Sequence, residues 1–455
     1  MKKQRTRKEP SIRIPRGRVT GLIVGGYKSL SKPHTVDIAP LTILAGANSS
    51  GKSSIMQPML LLKQTLEASY DAGALLLSGP NVRFTSAGQL LWRGEKGEKS
   101  DGFHMAIEVA GQGMMWWSFG RQPNKKGFRI RKMTFVDDQG EFPLSSTMSH
   151  ANIMEVAPEH LKRFFKHVSK DVEKRDEKVE WVVRRSRCFL GLELLRVSDK
   201  GKAPVLTQLL SPSDVVEPHI RNLIHVPGLR GNSERAYPTT AVGPRFPGTF
   251  EQYVASVLAQ WQADKDDRVK QTGEALCDLG LTWKVIAKPI SDAQVELYVG
   301  RLSKPVRGGA RDMVSIADVG FGVSQILPVV VALFAARPGQ MVYLEQPEIH
   351  LHPCAKRGMA RLLTDAAKRG VTVIAETHSA LLLRGIQTQV AKGDFPSKHV
   401  KLYWFRRKPE DGATVVYDGT LDREGAYGDW PTDFDEVALE ADREYLDAAD
   451  SASKR

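Results

Sequence analysis

The segment GANSSGKS at 46–53 constrains the fold of this chain more than any other part of it. It fits the pattern G-x-x-x-x-G-K-[ST], and its flanks supply the context that pattern needs, a strand before the loop and a helix after it. The apolar run LTILAG (41–46) reads as the strand, and SSIMQPMLLLKQTLEAS (53–69) has the length and leucine content of the helix. Pro58 falls in the opening turns of that helix and is expected to shift its start or bend it. Gly46 and Gly51 let the backbone wrap a phosphate with its N–H groups turned inward. Lys52 then reaches the outer phosphates, the Ser53 hydroxyl suits Mg²⁺, and the helix offers its positive end. The segment therefore predicts an α/β nucleotide-binding unit.

Such a unit needs a carboxylate at the end of a neighbouring parallel strand to serve the metal. MVYLEQPEIHLHP (341–353) provides one in Glu345, after four largely apolar residues. VTVIAETHS (371–379) reads as the next buried strand and presents Glu376, Thr377 and His378 at its carboxyl end, where ligands of open α/β sheets collect. His350, His352 and His378 could instead suggest a metal cluster, but no cysteine pattern supports zinc. DVGFGVSQILPVVVALF (318–334) places two glycines, Ser324 and Gln325 ahead of an apolar helix. It can present N–H groups and a hydroxyl to an anion.

The rest of the chain divides by character. Residues 1–17 form a basic tail without the apolar segment of a secretory signal. Residues 18–145 hold the phosphate loop and a series of short runs that read as antiparallel strands, with Trp116 and Trp117 as packing residues. Residues 146–300 are expected to be mainly helical inserted material, with one helical stretch over 160–187 and another over 249–280. The buried parallel strands return in 301–434, and 435–455 is expected to be a C-terminal helix or tail. No apolar run approaches the roughly 20 residues that span a bilayer, so no membrane association is expected. Three scattered cysteines without a CxxC pair fit a reducing cytoplasm. The formal net charge of +13 admits nucleic acid as a partner.

The ordered set GANSSGKS, VGFGVSQ, YLEQPEIHLHP and ETHS resembles the ABC-class, AAA-type ATPases of the RecF/SMC kind. More narrowly, it is similar to the overcoming-lysogenization-defect ATPases and those of anti-phage systems such as Septu, PARIS and retron-linked cassettes. YKSL (27–30) and YGDWPTDF (427–434) carry the narrower likeness, which is loose in the insertion, at VPGLRGNSERAYP (226–238). The resemblance implies a P-loop ABC-ATPase head with an antiparallel β subdomain. Gly46, Asn48, Ser49, Ser50, Gly51, Lys52, Ser53 and Ser54 then form the Walker A loop around ATP, with Ser53 and Glu345 serving Mg²⁺. Gly320, Gly322, Ser324 and Gln325 form a signature segment that completes the site of a second subunit, and His378 is the switch histidine. A head-to-tail homodimer or larger assembly is implied.

Gln346 departs from that pattern, because ABC ATPases carry their catalytic glutamate there. A glutamine can orient water without taking its proton, so slow turnover is expected, and Glu348 is a candidate replacement base. The stretch between Ser53 and Met341 is too short, and too strand-like, for a long coiled-coil arm. The stretch KLYWFRRKPEDGATVVYDGTLDREGAYGDW (401–430) shows no clustered D-x-D, so no nuclease domain is expected and a separate effector, which could be a nuclease, would act with the chain. Two other functions fit the same residues: a RecF-like DNA-repair ATPase, and a nucleotide-gated assembly module that hardly hydrolyses.

Overall fold

The computed structural model describes residues 14–94, 97–122, 127–173, 178–198, 201–210, 212–231, 233–240, 242–304 and 311–428, together with Ile12 and Arg443. Most of the basic tail, the end of YGDWPTDF and the segment 435–455 lie outside the described residues.

The central sheet has six strands in the order Ile224–Val226, Met341–Glu345, Thr372–Thr377, Leu41–Gly46, Val400–Arg407 and Thr414–Gly419. The first five run parallel and the sixth is antiparallel. Its three middle strands are apolar almost throughout because both faces are covered. Side chains alternate between those faces. Leu44, Tyr343, Ile374, Tyr403 and Phe405 share one core with the helix Ser53–Glu67 and the antiparallel subdomain. Ile43, Ala45, Val342, Leu344, Val373 and Ala375 face the other core, built with helices Val254–Ala263, Arg268–Asp278, Phe321–Ala335, Pro353–Lys368 and Ala380–Ala391. Helix Ser53–Glu67 contains Pro58 and is not interrupted by it.

The antiparallel subdomain is a six-stranded sheet ordered His34–Asp37, Val19–Gly25, Gly102–Val109, Gly113–Arg121, Phe128–Asp137 and Gly140–Leu144. Trp117 is a packing residue, as expected: it is buried and its ring N–H donates to the Cys188 carbonyl at 2.9 Å. The α/β class with an antiparallel subdomain thus matches the expectation.

The insertion differs from its reading in detail. The helix expected over 160–187 stops at Glu173, and Lys178–Ser186 is instead the first strand of a three-stranded antiparallel sheet with Phe189–Ser198 and Gly201–Leu210. A second small sheet includes Val285–Ser291 and Gln294–Gly300, so the region carries strand as well as helix. Its segment Ile224–Val226 joins the central sheet beside Met341–Glu345, and through that pairing reaches the site.

Candidate functional site

The loop after Leu41–Gly46 is set by positions that tolerate no side chain. Gly46 has φ +147 and Gly51 φ +102, where L-residues are strained. A Cβ on Gly46 would lie 2.3 Å from the Phe405 carbonyl, and one on Gly51 would lie 2.4 Å from Thr414 Oγ1. Ser49 also adopts a left-handed conformation, φ 61. The Thr414 hydroxyl braces the loop from the last strand, 2.7 Å from both the Ser50 carbonyl and the Ser29 hydroxyl.

Lys52 is 5% exposed and folds back, donating to the carbonyls of Gly46 at 2.8 Å and Ala47 at 2.7 Å. Burial lowers its pKa, and Glu376 and Glu348 oppose that. The loop lies in a cleft of about 590 Å³ whose lining includes residues 48–54, Gln57, Gln346, Glu376 and the cations Lys28, Arg93 and Arg407. The cleft therefore combines a nest of backbone N–H groups, a helix start and four basic side chains, an environment built for a polyanion.

Beside the loop, Glu345 and Glu376 are direct neighbours on adjacent parallel strands. They sit in different surroundings. Glu376 is 3% exposed; its Oε2 accepts from the Ser53 hydroxyl at 2.8 Å, and its Oε1 accepts from the Tyr343 hydroxyl. Burial, and the adjacent Glu345, push its pKa up to about 7. Glu345 is partly exposed, with Oε1 3.1 Å from His225 Nε2 and Oε2 accepting from the Gly228 N–H at 3.1 Å. Burial raises its pKa, but the hydrogen bond and charge of His225, the Gly228 N–H and nearby Arg230 outweigh it and hold the group below its ordinary value. The His225 ring stacks on Tyr343, centroids 5.3 Å apart, so the two carboxylates belong to one packed unit.

Gln346 follows with φ 45, its N–H donating to the Glu376 carbonyl at 3.0 Å, and it lines the cleft. Glu348, the candidate replacement base, is set deeper than Gln346. It is 1% exposed, accepts from the Thr377 hydroxyl, and is absent from the cleft lining because the turn after Pro347 carries it into the interior. His378 is exposed at the edge of the same strand, with its pKa lowered by burial and by Lys52 and Lys356. Gly320, Gly322 and Ser324 lie at the start of helix Phe321–Ala335, whose first turn has no side-chain cap. Gln325, expected with them in the trans signature, is turned inward instead. It is 3% exposed and its amide donates to the carbonyls of Arg230 at 3.2 Å and Gly231 at 3.1 Å. Among the described residues no cluster of three or more His, Cys, Asp or Glu gathers as a metal site, and His350 and His352 are exposed. The sequence reading missed Tyr343, His225, Arg230 and Thr414 as site residues. Arg230 stands within VPGLRGNSERAYP and Tyr343 within MVYLEQPEIHLHP, but neither was singled out there.

A protein-family model described as "AAA domain, putative AbiEii toxin, Type IV TA system" matches residues 41–384, from the strand before the phosphate loop to the helix after His378. The chain belongs to this AAA-domain family. Solved structures aligned with this AAA domain include an SmcHead bound to the C-winged helix domain of ScpA, with 12% identity, TM-score 0.45, and 89% of this chain and 98% of that one covered. An SMC head domain from Thermotoga maritima aligns with 10% identity, TM-score 0.38 and coverage of 88% and 98%. One from Pyrococcus furiosus, bound to the C-terminal domain of ScpA, gives 11%, 0.41, 94% and 99%. No curated protein matches the AAA-domain sequence. Among its described residues no helix is long and apolar enough to cross a membrane.

Proposed function

We propose that the chain binds ATP·Mg²⁺ in the cleft over 46–54, hydrolyses it slowly, and assembles head to tail to regulate a separate effector. The observation that carries this reading is the loop itself. Lys52, held on the Gly46 and Ala47 carbonyls, needs to exchange those two acceptors for phosphate oxygens, and Ser53 faces a carboxylate. A hard divalent cation fits the donors present. They are all oxygen, and a buried carboxyl raised to about 7 beside a second acid is one whose charge a cation would stabilise. Ser53 and the neighbouring acids Glu345 and Glu376 would serve the Mg²⁺ site, and the ion when bound would neutralise charge building on the outer phosphates.

Within the cleft the cationic Lys28, Arg93 and Arg407 bind the triphosphate, and Gln346 orients a water for attack without removing its proton. The exposed first turn after Gly320, with Phe321 60% exposed, and the exposed residues Ile349, His378 and Leu381 offer the surface for a second copy. The resemblance of the motif set favours a role in prokaryotic defence against phage, in the cytoplasm, with the effector supplied by another chain, while the family description names a toxin of a type IV TA system. The test is steady-state hydrolysis by the wild type and Gln346→Glu. Turnover well below the ~10 s⁻¹ typical of enzymes, rising in the variant, is expected. A fast wild type indifferent to the substitution would remove the reading of Gln346.

A further inference from the structure

The motif order gives the metal to Glu345, yet the geometry divides the two neighbouring acids differently. Both oxygens of Glu345 are engaged away from the phosphate loop, one by His225 and one by the Gly228 N–H. Glu376 lines the cleft beside Lys52 and Ser53, whereas Glu345 is not among its lining residues. The Ser53 hydroxyl donates to Glu376 Oε2 at 2.8 Å, and Tyr343 fixes the other oxygen. With its proton donated to Glu376, the Ser53 hydroxyl can meet a cation only through its oxygen lone pairs.

We infer that Glu376, at the end of strand Thr372–Thr377, is the carboxylate that sets the metal position. It orients the Ser53 hydroxyl and supplies the negative charge nearest to it, while Glu345 acts from behind, locking the segment 225–228 against the sheet. Tyr343 connects the two, donating to Glu376 while its ring stacks on the His225 that holds Glu345. Glu376 is therefore a positioning residue for the metal. The inference rests on the reading that the cleft takes a nucleotide with a divalent cation.

Mn²⁺ is a suitable probe, because its binding to the ATP-saturated protein is read directly by electron paramagnetic resonance without turnover. ATP binding in EDTA is measured alongside. Glu376→Gln is expected to weaken Mn²⁺ by at least ~10-fold, about 1.4 kcal/mol, with metal-free ATP binding kept, and Glu376→Asp is expected to recover part of the loss. Glu345→Gln is expected to change Mn²⁺ affinity less than Glu376→Gln does. Equal Mn²⁺ affinity in wild type and Glu376→Gln, or a loss confined to Glu345→Gln, overturns the inference. If Glu376→Gln fails to fold by its thermal transition, Glu376→Asp decides: Mn²⁺ affinity equal to wild type overturns the inference, and a several-fold loss with ATP binding kept supports it. Failure of the wild type to bind ATP at all would instead overturn the underlying nucleotide reading.

Discussion

Arg230 shows at the scale of a single residue how the site is tied together. Its guanidinium is 7% exposed and donates to the Gln325 carbonyl at 2.9 Å and the Glu345 carbonyl at 3.1 Å, while Gln325 returns two hydrogen bonds to the Arg230 loop. Burial pushes its pKa down to about 10, and Glu251, Glu345 and Glu348 oppose the shift. It remains charged at neutral pH. Removing it leaves buried carbonyls without donors, each costing about 1–3 kcal/mol. Arg230→Ala should therefore destabilise the fold by ~2–4 kcal/mol in urea unfolding, and Arg230→Lys should recover little, since an ammonium lacks the fork. A loss below ~0.5 kcal/mol would show that the clasp is not formed in solution. Arg230 was not legible as a site residue because its partners lie 95 and 115 residues away in sequence. Gly46, Gly51, Lys52 and Ser53 were legible because the backbone shape they need is local. The burial of Glu348 was not legible either, since spacing along a strand end does not say which way the next turn faces.

Among the elements, helix Ser53–Glu67 carries more than the phosphate loop. Lys63 is fully buried in it and donates to Glu67 Oε1 at 2.5 Å and to the Phe246 carbonyl at 3.0 Å, and Glu67 Oε2 accepts from the Gly248 N–H at 3.0 Å. The helix thereby holds a loop of the insertion against the central sheet. Lys63→Met leaves Glu67 as a buried charge without its partner and should cost ~3–5 kcal/mol. The double variant with Glu67→Gln should be less destabilised than the two single losses summed, measured as a coupling in a double-mutant cycle. Additivity would count against the pair. Arg187 closes the same C-terminal end of this helix, donating to the carbonyls of Thr65 at 3.0 Å and Leu66 at 2.6 Å. The same residue explains the misread helix over 160–187. It sits at φ 53 in the two-residue turn between Ser186 and Phe189, where Asn or Gly would have announced a hairpin. The buried alternation of Val179, Trp181 and Val183 was a strand signal, obscured by the apolar Val182 within it and by the charges of Lys178, Glu180, Arg184 and Arg185 around it.

For the whole molecule, the order strand, glycine loop, helix and later parallel strands was readable in the sequence, because both faces of that sheet are covered and its middle strands are largely apolar. The joining of Ile224–Val226 to the sheet from within the insertion was not, since three residues carry no period. The three cysteines report on the packed whole. Cys188 is buried, which raises its thiol pKa, Cys277 is half-buried, and Cys354 is exposed at the start of helix Pro353–Lys368. A thiol reagent should label Cys354 fast and Cys188 only after unfolding. ATP·Mg²⁺ should slow the labelling of Cys354 where a second copy covers the turn after Gln346, and an unchanged rate would count against that face as the assembly surface. The central claim is that the cleft over 46–54 is a nucleotide site, and equilibrium titration of ATP with Mg²⁺ into the wild type and Lys52→Ala tests it most directly. Saturable binding by the wild type with at least a ~10-fold loss in Lys52→Ala, about 1.4 kcal/mol, is the predicted result; no binding by the folded wild type, or equal affinity in the two proteins, would contradict it.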